Sequence, residues 1–193
     1  MLKKMRGFTL IEMLIVVAII GILAALLIPN AMSALQKAKQ KGTTKDINTI
    51  ATGLMDYVTD KGMAPAGATG QLTGTSDAVV TALQGFYLKT FPVRDQWGHF
   101  FYVYTGEDCG GNDFGITLPS TETYWGDDAF VVGSSGRNES TEDVTYDATN
   151  PANNLYEVNS MQDFNKEIVN WNGSVVIGPR TAAGTGTGTG TGS

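Results

Sequence analysis

Apolar positions crowd the first part of the chain and thin out after it. Residues 8–28 form a run of 21 positions whose only charge is Glu12. A helix of about 20 apolar residues crosses the hydrocarbon core of a bilayer, so the run predicts a membrane-spanning helix. Lys3, Lys4 and Arg6 precede it. Basic flanks stay on the cytoplasmic side, which sends the rest of the chain outward. Helical spacing continues beyond the run through Met32 and Leu35. Ile47, Ile50, Ala51, Leu54 and Val58 then recur at i, i+3, i+4, i+7 and i+11, the pattern of an amphipathic helix with one buried face. A single helix over residues 8–60 would be about 80 Å long at ~1.5 Å per residue. Gly21, Pro29 and Gly42 are the places where it can bend. Lys37, Lys39, Lys41 and Lys45 occupy the joint between its halves. Such a charge run is a solvated face or a contact for acidic patches on neighbouring molecules.

The pattern then turns to short segments. Residues 61–76 are rich in Gly, Ala, Thr and Pro and read as a loop. Ser76 or Asp77 can cap a short helix ending at Leu83 or Phe86. Residues 92–98 read as a turn, in which Asp95 accepts backbone amides. Residues 99–104 are aromatic and β-branched, hence a strand, with Trp97 expected as a core plug under the sheet. Residues 105–127 are rich in Gly and Asp, residues 129–133 read as a second strand, and residues 139–161 are polar and irregular. Residues 166–171 and 174–177 flank Asn172-Gly173, the strongest two-residue hairpin signal. After Pro179 the chain becomes Thr-Gly repeats. Such a tail has no apolar surface to bury, which predicts disorder.

The N-terminal run admits three readings. A secretory signal peptide has a shorter apolar core, about 7–15 residues, and a small-residue cleavage site. Here the run is longer, and residues 29–33 make a poor cleavage site. A plain membrane anchor explains the length but not Glu12. A carboxylate at mid-membrane depth costs roughly 2.5–3.5 kcal/mol and marks function by default. The third reading takes the whole motif together. Gly7-Phe8-Thr9-Leu10-Ile11-Glu12 after a short basic leader resembles the prepilin signal of type IV pilins and type II secretion pseudopilins. The resemblance implies that a membrane peptidase cuts after Gly7 and methylates the new N-terminus at Phe8. Glu12 is then the fifth residue of the mature chain, where the family has its glutamate. In a filament core a buried carboxylate needs a partner. The α-amino group on Phe8 of a neighbouring subunit supplies one, and a buried ion pair of this kind fixes geometry more than it stabilises.

Composition narrows the function classes. The chain has 193 residues, 13 basic and 19 acidic, for a net charge of −6. Loss of Lys3, Lys4 and Arg6 with the leader leaves 10 basic residues and −9. An acidic soluble part argues against nucleic-acid binding, which wants a basic face. Cys109 is the only cysteine, so the disulfide that closes a C-terminal loop in many type IV pilins is impossible here. That absence leans towards pseudopilins, as does Asp95-Gln96-Trp97-Gly98-His99-Phe100-Phe101-Tyr102-Val103-Tyr104, which resembles a segment of the major pseudopilin of type II secretion. No nucleophile elbow, phosphate loop or zinc spacing is present, so the expectation is a non-enzyme. Asn138-Glu139-Ser140 and Asn172-Gly173-Ser174 match a glycosylation sequon and read as chance in a bacterial setting.

Calcium is the one ligand the sequence brings forward, and no cofactor is required for polymerisation. Calcium takes six to eight oxygens, often from a loop. Asp163, Asn165 and Glu167 alternate oxygen-bearing side chains before the terminal hairpin. Residues 163–171 are similar to the end of the calcium loop in the major pseudopilin, with Glu167 in the place of the ligating carboxylate. The family's compact Asp-Gly-x-x-Gly-Gly loop is absent, and a longer insertion stands between Gly136 and Asp163. Otherwise these residues are solvated turn-capping groups.

The expected fold is α+β: a long N-terminal transmembrane and amphipathic helix packed on an antiparallel sheet of three or four strands. The expected organisation is a leader at 1–7, a transmembrane and polymerisation helix at 8–30, a periplasmic globular domain at 31–180 and a tail at 181–193. The resemblance implies a filament subunit of type II secretion acting in protein export, stored in the bacterial inner membrane. Its implied partners are itself, a prepilin peptidase, an inner-membrane assembly platform with its ATPase, and minor pilins or pseudopilins. A type IV pilin of a surface pilus and a membrane-anchored binding protein that never polymerises are the alternatives.

Overall fold

The computed structural model of the chain describes residues 7–118, 122 and 124–180. The basic leader residues and the Thr-Gly repeat lie outside them, and with them the expected leader and tail. The chain divides into two units, residues 1–38 and 39–193. One helix, α1 (Leu10–Lys61), runs through 52 residues with Pro29 inside it. In the first unit its apolar side chains face solvent on every side, Leu10 at 83% and Leu26 at 69% exposure among them. By length and composition it is a helix able to cross a membrane.

In the second unit the amphipathic stripe behaves as its spacing predicts. Ile47, Ile50, Ala51 and Leu54 are buried, and Val58 packs at the edge of the same cluster. Two glycines let the helix come close to its neighbours. A Cβ on Gly53 would sit 2.7 Å from Leu88 Cγ, and one on Gly42 would sit 2.8 Å from Gln96 Cγ.

The sheet has six strands: β1 (Thr69–Gln71), β2 (Tyr102–Thr105), β3 (Phe130–Ser134), β4 (Leu155–Tyr156), β5 (Ile168–Trp171) and β6 (Ser174–Pro179). Their order is β1-β2-β3-β5-β6-β4, antiparallel throughout except the parallel pair β4 and β6. Side chains alternate between faces along each strand. Phe101, Val103, Phe130, Val132 and Ile168 join the helix cluster, whereas Tyr102, Tyr104, Val131, Val169 and Ile177 form a second core on the opposite face. That second face is covered by the connections. Cys109, Phe114 and Ile116 pack there from one segment, and Val144, Tyr146, Tyr156 and Val158 from another. The central strands β2 and β3 are therefore buried along their whole length, on both faces, as strands covered on both sides are.

Five expectations change. The sheet has six strands rather than three or four, because β1 and β4 are edge strands of three and two residues, too short to show a period. Residues 139–161 are not free of apolar anchors, since Val144, Tyr146, Tyr156 and Val158 dock them on the second core. Trp97 is only half-buried; Phe101 fills the core instead. The strand expected at residues 99–104 starts later, at Tyr102. The short helix, α2 (Ala78–Leu83), forms after Asp77, but the Asp77 carboxylate bonds backwards, to Thr73 N and Gly74 N.

The hairpin is as expected. Asn172 and Gly173 both have positive φ, +47° and +88°, the two-residue geometry that the twist of paired strands selects.

Candidate functional site

The N-terminal segment combines an extended Gly7-Phe8 junction with an exposed carboxylate. Gly7 and Phe8 precede the helix in extended chain, and Phe8 is 76% exposed. Thr9 and Glu12 cap the first turn reciprocally. Thr9 N and Thr9 Oγ1 donate to Glu12 Oε2 at 2.8 and 2.7 Å, while Glu12 N donates to Thr9 Oγ1 at 3.3 Å. This is a capping box, whose Thr-x-x-Glu signature before an apolar run is legible in the sequence. Glu12 therefore has a local role in the single chain, satisfying an otherwise orphaned amide. Its other oxygen, Oε1, takes no hydrogen bond within the chain among the described residues.

The C-terminal loop is built around a turn and a buried acid. Asp95 Oδ1 accepts the amides of Trp97, Gly98 and His99, each at 2.9 Å, and Ser134 Oγ donates to Asp95 Oδ2 at 2.7 Å. His99 Nδ1 donates to the Gly136 carbonyl at 2.9 Å. This network fixes the end of β3 and the short 3-10 turn Gly136–Asn138. Gly136 has φ +71°, and a Cβ there would collide with the Asn165 carbonyl. The turn thus rests directly on the backbone of residues 165 and 166.

The three expected calcium ligands fall into two groups. Asp163 is fully engaged. Its Oδ2 accepts Asn159 N, Ser160 N and Ser160 Oγ, and its Oδ1 receives Lys166 Nζ at 2.7 Å. Those bonds, led by the one from Lys166, hold its carboxyl well below the usual carboxylate range. A lysine ammonium already meets this side chain.

Asn165 and Glu167 differ. Glu167 is 1% exposed, and its Oε1 accepts Asp143 N at 2.6 Å. Glu167 Oε2, Asn165 Oδ1 and Ser135 Oγ are buried with no hydrogen-bond partner. Burial pushes the Glu167 carboxyl up, and the Asp143 charge adds to that push. An unmatched oxygen on a buried acid is a position that a hard cation relieves. Asn165 and Glu167 fit calcium on that ground; Asp163 does not. Among the described residues no three His, Cys, Asp or Glu side chains converge, so remaining ligands would have to be carbonyl, amide, hydroxyl or water oxygens. Asp143 was not foreseen from the sequence. It lies 24 residues before Glu167, and only the fold brings them together.

Two family profiles match the chain. Residues 2–28 match the prokaryotic N-terminal methylation motif, and residues 30–143 match type II secretion system protein G. The second match stops short of Asp163, Asn165 and Glu167. Curated relatives that match carry the name type II secretion system core protein G. That of Vibrio cholerae is 33% identical over 124 residues, 58% of this chain and 81% of the relative. That of Escherichia coli is 30% identical over 136 residues, 68% and 94% of the two chains. That of Pseudomonas aeruginosa is 39% identical over 103 residues, 50% and 71%. No solved structure gives a significant match. A processing-type N-terminus, an exposed apolar helix and a protein G match over most of the remaining chain lead to one conclusion: the chain belongs to the type II secretion system protein G family.

Proposed function

We propose that this chain is the filament-forming subunit of a type II secretion system, a structural protein acting in protein export. The carrying observation is the exposed apolar surface of α1 before residue 30, attached to the methylation motif. A surface of that size needs a bilayer or other copies of itself around it. Membrane storage and filament packing supply the two in turn. A prepilin peptidase cuts between Gly7 and Phe8 and methylates Phe8. An inner-membrane platform then extracts the subunit, whose C-terminal domain lies in the periplasm. Intact mass of the membrane-extracted protein tests the reading. Loss of residues 1–7 plus one methyl group is expected, and an uncut chain would remove it. Gly7→Leu should block the cut, because the peptidase must reach a bond that follows a residue without a side chain.

A second part of the reading concerns calcium, favoured by the unmatched Glu167 Oε2 and Asn165 Oδ1. Asn165 and Glu167 would hold the ion. It would supply positive charge to a buried acid that no cationic side chain meets. An ion bound only to the folded state adds about 2.7 kcal/mol at a hundredfold excess over Kd. The full chain in detergent should melt higher in calcium than in chelator, and Glu167→Gln should lose most of that difference. Equal melting temperatures at saturating calcium would leave Asn165 and Glu167 as ordinary loop residues.

A further inference from the structure

The exposed face of α1 in the second unit segregates its charges. Lys41 and Lys45 lie four residues apart and are exposed; Asp56 and Asp60 also lie four residues apart and are exposed. Neighbours at i and i+4 meet on a helix surface, and like charges there repel. Each pair is therefore self-repulsive. Asp56 and Asp60 also sit in the last turns of α1, where the helix dipole disfavours carboxylates. Neither pair finds an opposite charge among the described residues. Among the described residues the lysine that meets a carboxylate is Lys166, on Asp163. Among the described residues, Asp60 accepts a hydrogen bond from the Tyr87 hydroxyl at 3.2 Å.

The acidic pair is also a shaped receptor. Asp56, Thr59 and Asp60 line a surface cleft of about 300 Å³ with Phe86 and Tyr87. Phe86 is 81% exposed at the tip of the turn after α2 and stacks edge-on against Tyr87 at 4.8 Å. Carboxylates beside aromatic faces suit an alkylammonium, which gains charge pairing and a cation–π contact together while its methylenes lie on the rings.

The spacings agree. Lys41 to Asp56 and Lys45 to Asp60 are both intervals of 15 residues. A parallel copy displaced by about 22 Å along α1, at ~1.5 Å per residue, meets both pairs at once. We infer that Lys41 and Lys45 of one copy dock on the Asp56, Asp60 and Phe86 cleft of a second copy. The contact joins different surfaces of the two copies, so it propagates as an open helical array rather than closing into a dimer. It relieves both like-charge pairs and sets an axial offset in the region outside the membrane helix. The inference rests on the filament reading above.

Filaments of the full chain test it. Lys41→Asp with Lys45→Asp, and separately Asp56→Lys with Asp60→Lys, should each lower filament yield about tenfold or more, since facing like charges are strongly disfavoured. The fourfold exchange should restore assembly. A second measurement is cross-linking of a Lys45→Cys, Asp60→Cys chain with a short bis-thiol reagent. Positions 45 and 60 of one α1 lie about 22 Å apart at ~1.5 Å per residue, so a short linker can join only different copies. The native Cys109 is fully buried and should not react. A ladder of multimers is expected. Normal assembly of both double variants, or intact filaments without a ladder, overturns the pairing and leaves the filament reading standing. Absence of filaments from the processed, unmodified chain overturns both.

Discussion

At the scale of single residues, each carboxylate takes its role from its surroundings. Glu12 caps the first turn of α1 through Thr9, and in a filament its free oxygen would accept the Phe8 α-amino group of a neighbour. Glu12→Leu should leave cleavage intact, because the apolar side chain enters the bilayer readily, yet impair assembly. Filaments formed at the normal rate and spacing by that variant would remove the pairing. Asp163 works through hydrogen bonds, the one from Lys166 first, and its carboxyl is depressed. A depressed folded-state value contributes stability above the unfolded carboxylate value, about 3.9. That contribution is lost as pH falls through the folded one. Denaturant unfolding between neutral pH and pH ~3 should therefore show a steeper acid loss for the unmodified chain than for Asp163→Asn. Parallel curves would contradict this. Cys109 is held by burial, which pushes its thiol up to about 12, so it should resist alkylation until the domain unfolds.

At the scale of elements, the approach of α1 to the rest of the second unit is set by where a side chain is missing. Gly53 faces Leu88 so closely that a Cβ would come within 2.7 Å of Cγ, a branch point with little freedom to retreat. Gly53→Ala gains helix propensity of about 1 kcal/mol, but overpacking costs about 1–3 kcal/mol, and the second effect should win. The variant is expected to melt lower than the unmodified chain. A higher melting temperature would show that Leu88 moves aside at little cost.

At the scale of the whole second unit, one sheet separates two cores, and Tyr156 links several parts. Its ring packs in the second core. Its hydroxyl is shared between Gln40 Nε2 at 3.4 Å and the carbonyls of Lys166 and Glu167, both at 3.2 Å. Tyr156→Phe should cost about 1 kcal/mol, the net worth of a typical hydrogen bond. Tyr156→Ala should cost more, about 3–5 kcal/mol, because an aromatic ring leaves the core. Equal losses in denaturant unfolding would mean that the ring contributes little and the insertion is held elsewhere.

Local patterns determined much of this protein from the sequence alone. The apolar run, the Thr-x-x-Glu turn, the 3.6-residue stripe from Ile47 to Val58 and the Asn172-Gly173 hairpin each depend on residues a few positions apart, so the chain displays them directly. The Gly7-to-Glu12 motif identified the family for the same reason. Other features depended on distant partners. Strands β1 and β4 exist only because β2 and β6 offer them an open edge. The residues that dock the insertion, Val144, Tyr146 and Val158, carry no period and became anchors only when a second sheet face stood opposite them. Asp163, Asn165 and Glu167 look equivalent in the sequence. Lys166, only three residues on, engages the first, whereas tertiary structure set Glu167 apart by burying it beside Asp143 with an oxygen left unmatched.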